Sequence, residues 1–311
     1  MRQITDTLMM IRPASFRTNE LTAVNNFFQQ FTSIDPEKLN DHAREEFDAF
    51  VSKLRGAGVK VIVVDDDPLL DTPDSVFPNN WISFHDNGTV ALYPMFAENR
   101  RRERREEVLL KVEEAGLRID QVVDYSSAED EGLFLEGTGS LLLDRVNRKA
   151  YCALSDRADE ELVIEFCEDF EFTPVIFTAN QSVDGQRLPI YHTNVMMCLG
   201  EGFCVICLST IDDKAEKKAV IKSLKEDGKE IIDITEQQMN HFAGNMLQVQ
   251  GADKKYTVMS QAAYDSLEQE QINSLLKHGG IISSELKIIE TCGGGSARCM
   301  MAEVFLPVRE A

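Results

Sequence analysis

The sequence predicts an α/β fold: one domain, residues 1–311, made of five ββαβ units with five-fold pseudosymmetry, a five-bladed α/β-propeller. Three observations lead there. Strand hairpins, charged helical stretches and single strands recur in one fixed order. The two ends of the chain supply the two halves of one hairpin. Residues able to do chemistry recur at one spacing, once per unit.

Four hairpins are written in the chain as paired apolar, β-prone runs around a short polar turn. WISFHDNGTVALYPM turns at Asn87-Gly88, SLLLDRVNRKAYCALS at Val146-Asn147, VMMCLGEGFCVICLS at Gly200–Gly202, and MLQVQGADKKYTVMS at Gly251–Asp253. After each comes a charged stretch whose apolar residues step by three and four, the period of a helix buried on one face. These stretches are RRRERREEVLLKVEEAGL, DEELVIEFCEDF, DDKAEKKAVIKSLKEDG and YDSLEQEQINSLLKHGG. A strand follows each of them: RIDQVVDY, TPVIFTA, KEIIDI and IISSELKII.

The first segment has the same helix and strand, DPEKLNDHAREEFDAFVSKLRGAG before VKVIVVDDD. Its hairpin is split: LMMIRP comes from the N-terminal end and CMMAEVF from the C-terminal end. Chain ends that pair in this way close a ring and remove open edges. The strands then line the centre and the helices lie outside. The units share an order of elements rather than residues.

The bulk numbers narrow the function classes. A chain of 311 residues that is 43% hydrophobic can bury a large core. Its net charge of −21 argues against nucleic-acid partners and anionic membrane surfaces. MRQITDTLMMIRPASF lacks the apolar core of a secretion signal, and no apolar run approaches bilayer length. Seven scattered cysteines read as reduced thiols, which predicts a cytoplasmic protein. CVIC has CxxC spacing, but alternation along a strand sends Cys204 and Cys207 to opposite faces, so they read as packing thiols. His42, His85, His241 and His278 show no ligand spacing, and the expectation is no metal and no cofactor. The sequence leaves oligomer formation open.

The chemistry lies just before the first strand of each hairpin. PDSVFPNNW ends in Asn79 and Asn80; FLEGTGS holds Glu136, PIYHTNV His192, FAGNML Asn245 and GSARCMM Cys299. Fifty-six positions separate Asn80 from Glu136 and Glu136 from His192; then come 53 to Asn245 and 54 to Cys299. Around a five-fold axis these positions are equivalent, so one end of the axis carries an acid, an imidazole and a thiol. That set gives a nucleophile, its base and a group to orient the base. Cys292 lies seven residues from Cys299 and off the register. The glycines at 293–295 leave room for backbone to approach a ligand.

With those residues in view, the chain resembles the amidinotransferase superfamily, guanidino-modifying enzymes of the pentein fold. IRPASF, DSVFPNNW, FLEGTGS, ALSDR, YHTNV, AGNM and CGGGSARC carry the resemblance from Arg12 to Cys299. It looks most like the citrulline-utilization hydrolases, with arginine deiminases and dimethylarginine dimethylaminohydrolases as relatives. The resemblance implies Cys299 as nucleophile, His192 as acid and base, and Glu136 as the supporting carboxylate. It implies Arg157 as partner of a substrate α-carboxylate, with Arg100 or Arg101 as a second contact. Asp74, Asn79, Asn80 and Asn245 complete the expected substrate-binding set. Relatives carry acids at the end of the DSVF segment, where this chain has Asn79 and Asn80.

An Asn amide both donates and accepts, which fits a neutral ureido group; a carboxylate only accepts, which fits a guanidinium. The expected activity is therefore cysteine-dependent C–N hydrolysis of an arginine-like or citrulline-like amino acid, citrulline favoured. Arginine deiminase or dimethylarginine hydrolase activity and amidino transfer are the alternatives. A non-catalytic binding protein of the same fold ranks below them, because it has no use for the three residues in register.

Overall fold

The computed structural model describes residues 2–309. Among the described residues, five three-stranded sheets share one pattern. The second strand of each hairpin is central. It is antiparallel to its hairpin partner and parallel to the strand that returns after the helix. A tight turn suffices for the first pairing; the second needs a crossover, which the helix supplies. The sheets are Ile82–Phe84, Thr89–Leu92 and Gln121–Asp124; Leu141–Asp144, Lys149–Leu154 and Thr173–Thr178; Met197–Leu199, Phe203–Ile206 and Glu230–Asp233; Leu247–Gln250, Lys255–Ser260 and Gly280–Ser284. In the fifth, Thr7–Arg12 lies between Ala302–Glu303 and Lys60–Asp65, with Leu8 opposite both Glu303 and Val61. The two ends of the chain thus pair as expected.

Three of the longer helices begin where an Asp supplies a cap. Asp35 accepts from the Glu37 N–H ahead of Pro36–Gly56, Asp159 from Glu161 ahead of Glu160–Asp169, and Asp213 from Ala215 and Glu216 ahead of Lys214–Glu226. The first of these buries Leu39, Ala43, Phe47, Phe50, Val51 and Leu54, a helical stripe against the sheets. Two expected helices are broken. The arginine-rich stretch forms a 3₁₀ segment, Glu98–Glu103, before Glu106–Glu114. The fifth helical stretch divides into Gln261–Ser266, capped by the Ser260 hydroxyl, and Gln269–Lys277, where the Gln271 side chain accepts from the Glu268 N–H.

One hairpin escaped the sequence reading: Asn180–Val183 pairs with Gln186–Pro189. Its turn residues Asp184 and Gly185 have φ of 48° and 79°, the paired positive values of a type I′ turn. All seven cysteines are buried and unpaired. Among the described residues, no helix is long and apolar enough to cross a membrane.

Short helical turns head the first strands and position the site. Pro78–Asn80, Gly137–Ser140 and Thr193–Met196 are such turns. Glu136 and His192 immediately precede two of them, and Cys299 lies in a turn over 297–300.

Candidate active site

A narrow cavity is lined by Asp74, Asn80, Arg100, Arg157, Tyr191, His192 and Cys299, together with Thr22, Asn26 and Phe77. Residues from distant parts of the sequence meet here because the turns that head the strands converge. Glu136 lies behind His192: the two share a 2.7 Å bond between Nε2 and Oε2, and both are essentially inaccessible to solvent. A wider groove lined by Phe27, Phe28, Phe242 and Thr291 lies elsewhere and carries none of the residues in register.

Burial alone would push the Glu136 carboxyl upward, but Arg157, His192 and Arg100 outweigh it and hold it at about 2. Burial pulls His192 down to about 4, against the opposing pull of Glu136. At neutral pH the pair is therefore a carboxylate and a neutral imidazole. The carboxylate can only accept, so Nε2 carries the proton and Nδ1 is left as the basic nitrogen. Gly139 permits this placement. A side chain there would begin 2.8 Å from Nδ1 and 2.5 Å from Asn80 Nδ2.

Asp74 is buried at the same cavity but differently furnished. Asn19 Nδ2 donates to its Oδ2 at 2.8 Å and the Thr22 hydroxyl at 3.2 Å. Its Oδ1 is buried with no partner. Burial raises its pKa, with Arg100 the main opposing influence. An unpaired buried acceptor oxygen beside a cavity suits a ligand that donates N–H groups.

Sulfur Sγ of Cys299 accepts from Nδ2 of Asn245 at 3.2 Å and from Nδ2 of Asn194 at 3.3 Å. Asn245 thus meets the sulfur itself. Asn194 was not singled out in the sequence, although it stands two residues beyond His192 beneath the same turn.

The arginines are more engaged than the sequence suggested. Arg100 donates through Nε and Nη2 to Glu103 at 2.8 and 2.9 Å, through Nη1 to Asn80 Oδ1 at 2.8 Å, and to the Phe77 carbonyl at 3.1 Å. It braces the loop 74–80. Arg101 faces Glu129 instead, half-buried and away from the cavity lining. Arg157 bonds Asn25 Oδ1 and the Thr22 carbonyl, approaches Glu136 to 3.5 Å and lies over the Tyr191 ring. Asn80 is satisfied at both ends, by Arg100 and by Asn79 Oδ1. Asn79 is fully buried and does not line the cavity.

The N-terminal segment was also missed. Thr22, Asn25 and Asn26 reach the site from an irregular stretch with no periodicity to announce them. Asn26 and the Tyr191 hydroxyl both donate to the carbonyl of Gly294, whose φ of 65° belongs to the left-handed region. That contact fastens the glycine run beside the cavity, whereas Cys292 packs in the apolar core.

Comparison with known proteins agrees with this architecture. The solved structure of ArgZ, an arginine dihydrolase from the ornithine–ammonia cycle in Cyanobacteria, superposes with a TM-score of 0.74 at 17% identity. The match covers 97% of this chain and 41% of ArgZ, so this chain spans about two fifths of that protein's length. The isolated N-terminal domain of ArgZ, in a form covalently bound to a reaction intermediate, gives 0.73 at 18% identity over 97% of this chain and 99% of the domain. A dimethylarginine dimethylaminohydrolase adduct with S-methyl-L-thiocitrulline gives 0.65 at 13% identity, over 96% and 99%. These likenesses are of fold, the pentein α/β fold with mixed sheets. The search of curated proteins gives no match. The sequence profile described as "N,N dimethylarginine dimethylhydrolase, eukaryotic" matches residues 12–306. The chain belongs to that family, within the amidinotransferase superfamily.

Proposed function

We propose that the protein is a cysteine-dependent hydrolase of the guanidino group of an arginine-related amino acid, working as one catalytic domain over residues 1–311. Its five sheets act as five blades around a common axis. Cys299 is the nucleophile, His192 the acid and base, and Glu136 the group that holds the imidazole. The observation that carries this reading is the bonded Glu136–His192 pair behind a cavity that also holds the Cys299 thiol and the unpartnered Asp74 oxygen.

His192 takes the thiol proton on Nδ1, and the sulfur attacks the central guanidino carbon. The tetrahedral adduct collapses as the imidazolium returns that proton to the departing nitrogen, which leaves as ammonia or an amine. An S-alkylthiouronium remains on Cys299. His192 then takes a proton from water, and the resulting hydroxide adds to the same carbon. The added hydroxyl loses its proton to water and forms the C=O bond as the C–S electrons return to sulfur. The sulfur takes back the proton held by His192, which leaves a ureido product and the resting thiol. Glu136 stabilises the imidazolium at each proton transfer. Arg157 is the cation placed to meet an α-carboxylate, with its bonds to Asn25 and Thr22 giving way. No step requires a metal.

Asp74 supports a cationic group over a neutral one. The sequence favoured citrulline because Asn79 and Asn80 replace acids, and a ureido substrate is the second reading. Against it, the Asn80 amide is already engaged at both ends within the protein. Ammonia or amine release from arginine, methylated arginines and citrulline, assayed in parallel without an added amine, tests both. Faster turnover of a guanidino substrate is expected. Citrulline turning over far faster than every guanidine would select the ureido reading, and release only with an amine acceptor would select transfer.

A further inference from the structure

The sulfur of Cys299 lies in a corner rich in donors. Asn194 and Asn245 are both fully buried, and both point an amide nitrogen at it, at 3.3 and 3.2 Å. An amide offers either a donor or an acceptor depending on how it is turned, so its other bonds decide. Asn245 can be turned only one way. Its Oδ1 accepts the backbone N–H of Arg298 at 3.0 Å, while its Nδ2 also donates to the Asn194 carbonyl at 2.9 Å. Reversing it would set donor against donor and oxygen against oxygen. A fixed N–H donor therefore faces the sulfur.

Asn194 is freer. Its side chain bonds only the sulfur among the described residues, with Nδ2 at 3.3 Å and Oδ1 at 3.7 Å. A thiol needs an acceptor and a thiolate needs donors. One Asn side chain can serve either by turning.

We propose that Asn245 and Asn194 form a two-amide cradle that holds the Cys299 sulfur as the thiolate, Asn245 as a permanent donor and Asn194 as the partner that turns to suit the sulfur's charge. The inference deepens the proposed function and rests on Cys299 being its nucleophile. The charged and titratable groups that face this cavity are Asp74, Arg100, Arg157, Tyr191 and His192, with Glu136 behind His192. None of them bonds the sulfur. Arg298, next in the chain, turns its guanidinium away to Glu303 and the Met301 carbonyl. The negative charge is thus met by neutral donors that exchange no proton, and the proton lost from sulfur goes to His192. The same donors receive the charge again when the C–S bond breaks in the hydrolytic step. A carboxylate at position 194 would have the same shape with no N–H and the wrong charge.

The test is the pH dependence of Cys299 alkylation by iodoacetamide, with peptide mass mapping to separate it from the other six cysteines. Wild type is compared with Asn194→Asp and Asn194→Ala, each checked for an unchanged thermal melt. Asn194→Asp is expected to slow alkylation at pH 7 by about tenfold or more, with recovery at high pH. Asn194→Ala, which loses the donor without gaining charge, is expected to fall between the two. Superimposable rate–pH curves for wild type and both variants would overturn the cradle. Should Asn194→Asp fail to fold, Asn194→Ala decides alone: an unchanged curve overturns the proposal and a slowed one supports it. Alkylation needs no substrate, so it is separable from the parent reading: Cys299→Ser releasing ammonia at the wild-type rate would sink the hydrolase mechanism, and the curves would still judge the cradle.

Discussion

Two buried carboxylates, Asp74 at the cavity wall and Glu136 behind His192, have opposite fates. Glu136 is held ionised by Arg157, His192 and Arg100, and its Oε2 is committed to the imidazole. Asp74 is bonded by neutral donors on one oxygen, is left open on the other, and has its pKa pushed up by burial. The difference matches the two proposed roles, catalytic support for Glu136 and docking for Asp74. The acid that works through a neighbour is fully paired before any ligand arrives. Asp74, proposed to meet the ligand, is left incomplete, at a cost in stability that binding would offset.

Substitutions at the two acids test that contrast, and the largest effect falls on Glu136. Glu136→Gln keeps the shape but removes the charge that supports an imidazolium. A loss in kcat/KM on the order of a thousandfold is expected, mainly in kcat. The same change leaves Arg157 and Arg100 facing an uncharged group, so chemical denaturation is expected to show a loss of about 3 kcal/mol. A variant as stable and as active as wild type would erase the contrast.

Asp74→Asn is expected to act in the other direction on stability. Removing a buried, incompletely bonded charge gains about 1 kcal/mol, while KM for a guanidinium substrate rises on the order of tenfold or more. A neutral ureido substrate loses much less, so the ratio of the two KM changes sharpens the substrate assignment. A destabilised Asp74→Asn protein with unchanged KM would place Asp74 with the structural residues.

Acid should separate the ionisations of the site. His192 has a folded value of about 4 against an ordinary 6.5, so the unfolded chain binds more protons between those values. Stability from this group is present above pH 6.5 and is lost as pH falls towards 4, amounting to about 3 kcal/mol at most. Glu136 acts with the same sign in a lower window, its contribution lost as pH falls from 4.5 to about 2. His192→Gln is expected to lose less stability than wild type between pH 7 and pH 4, measured by urea melts at each pH. The smallest effect expected is at Arg157. Arg157→Ala should raise KM several-fold more than it lowers kcat if the guanidinium meets the substrate, and the reverse split would assign it to the support of Glu136.

The sequence revealed what repeats and concealed what does not. The order of hairpin, helix and strand follows from local patterning, and so did the pairing of LMMIRP with the C-terminal strand. The register carried Glu136, His192, Asn245 and Cys299 to one site because like positions in like units head like strands. Asp184-Gly185 was a readable turn signal that went unread, because it interrupts the repeat instead of belonging to it. Asn25 reaches Arg157 across 132 positions from a segment without periodicity, and no local rule links them. The roles of Arg100 and Asn80 were hidden for a different reason. Residue type announces a charge or an amide, but only packing shows that Glu103 and Asn79 have already claimed them.

The most direct measurement is acid quenching during steady turnover of a guanidino substrate, followed by peptide mass analysis. The account predicts a substrate-derived mass on the peptide that carries Cys299, absent from Cys292 and lost on alkaline hydrolysis. Continued turnover with Cys299 unmodified at every quench time, and undiminished in Cys299→Ser, would contradict it.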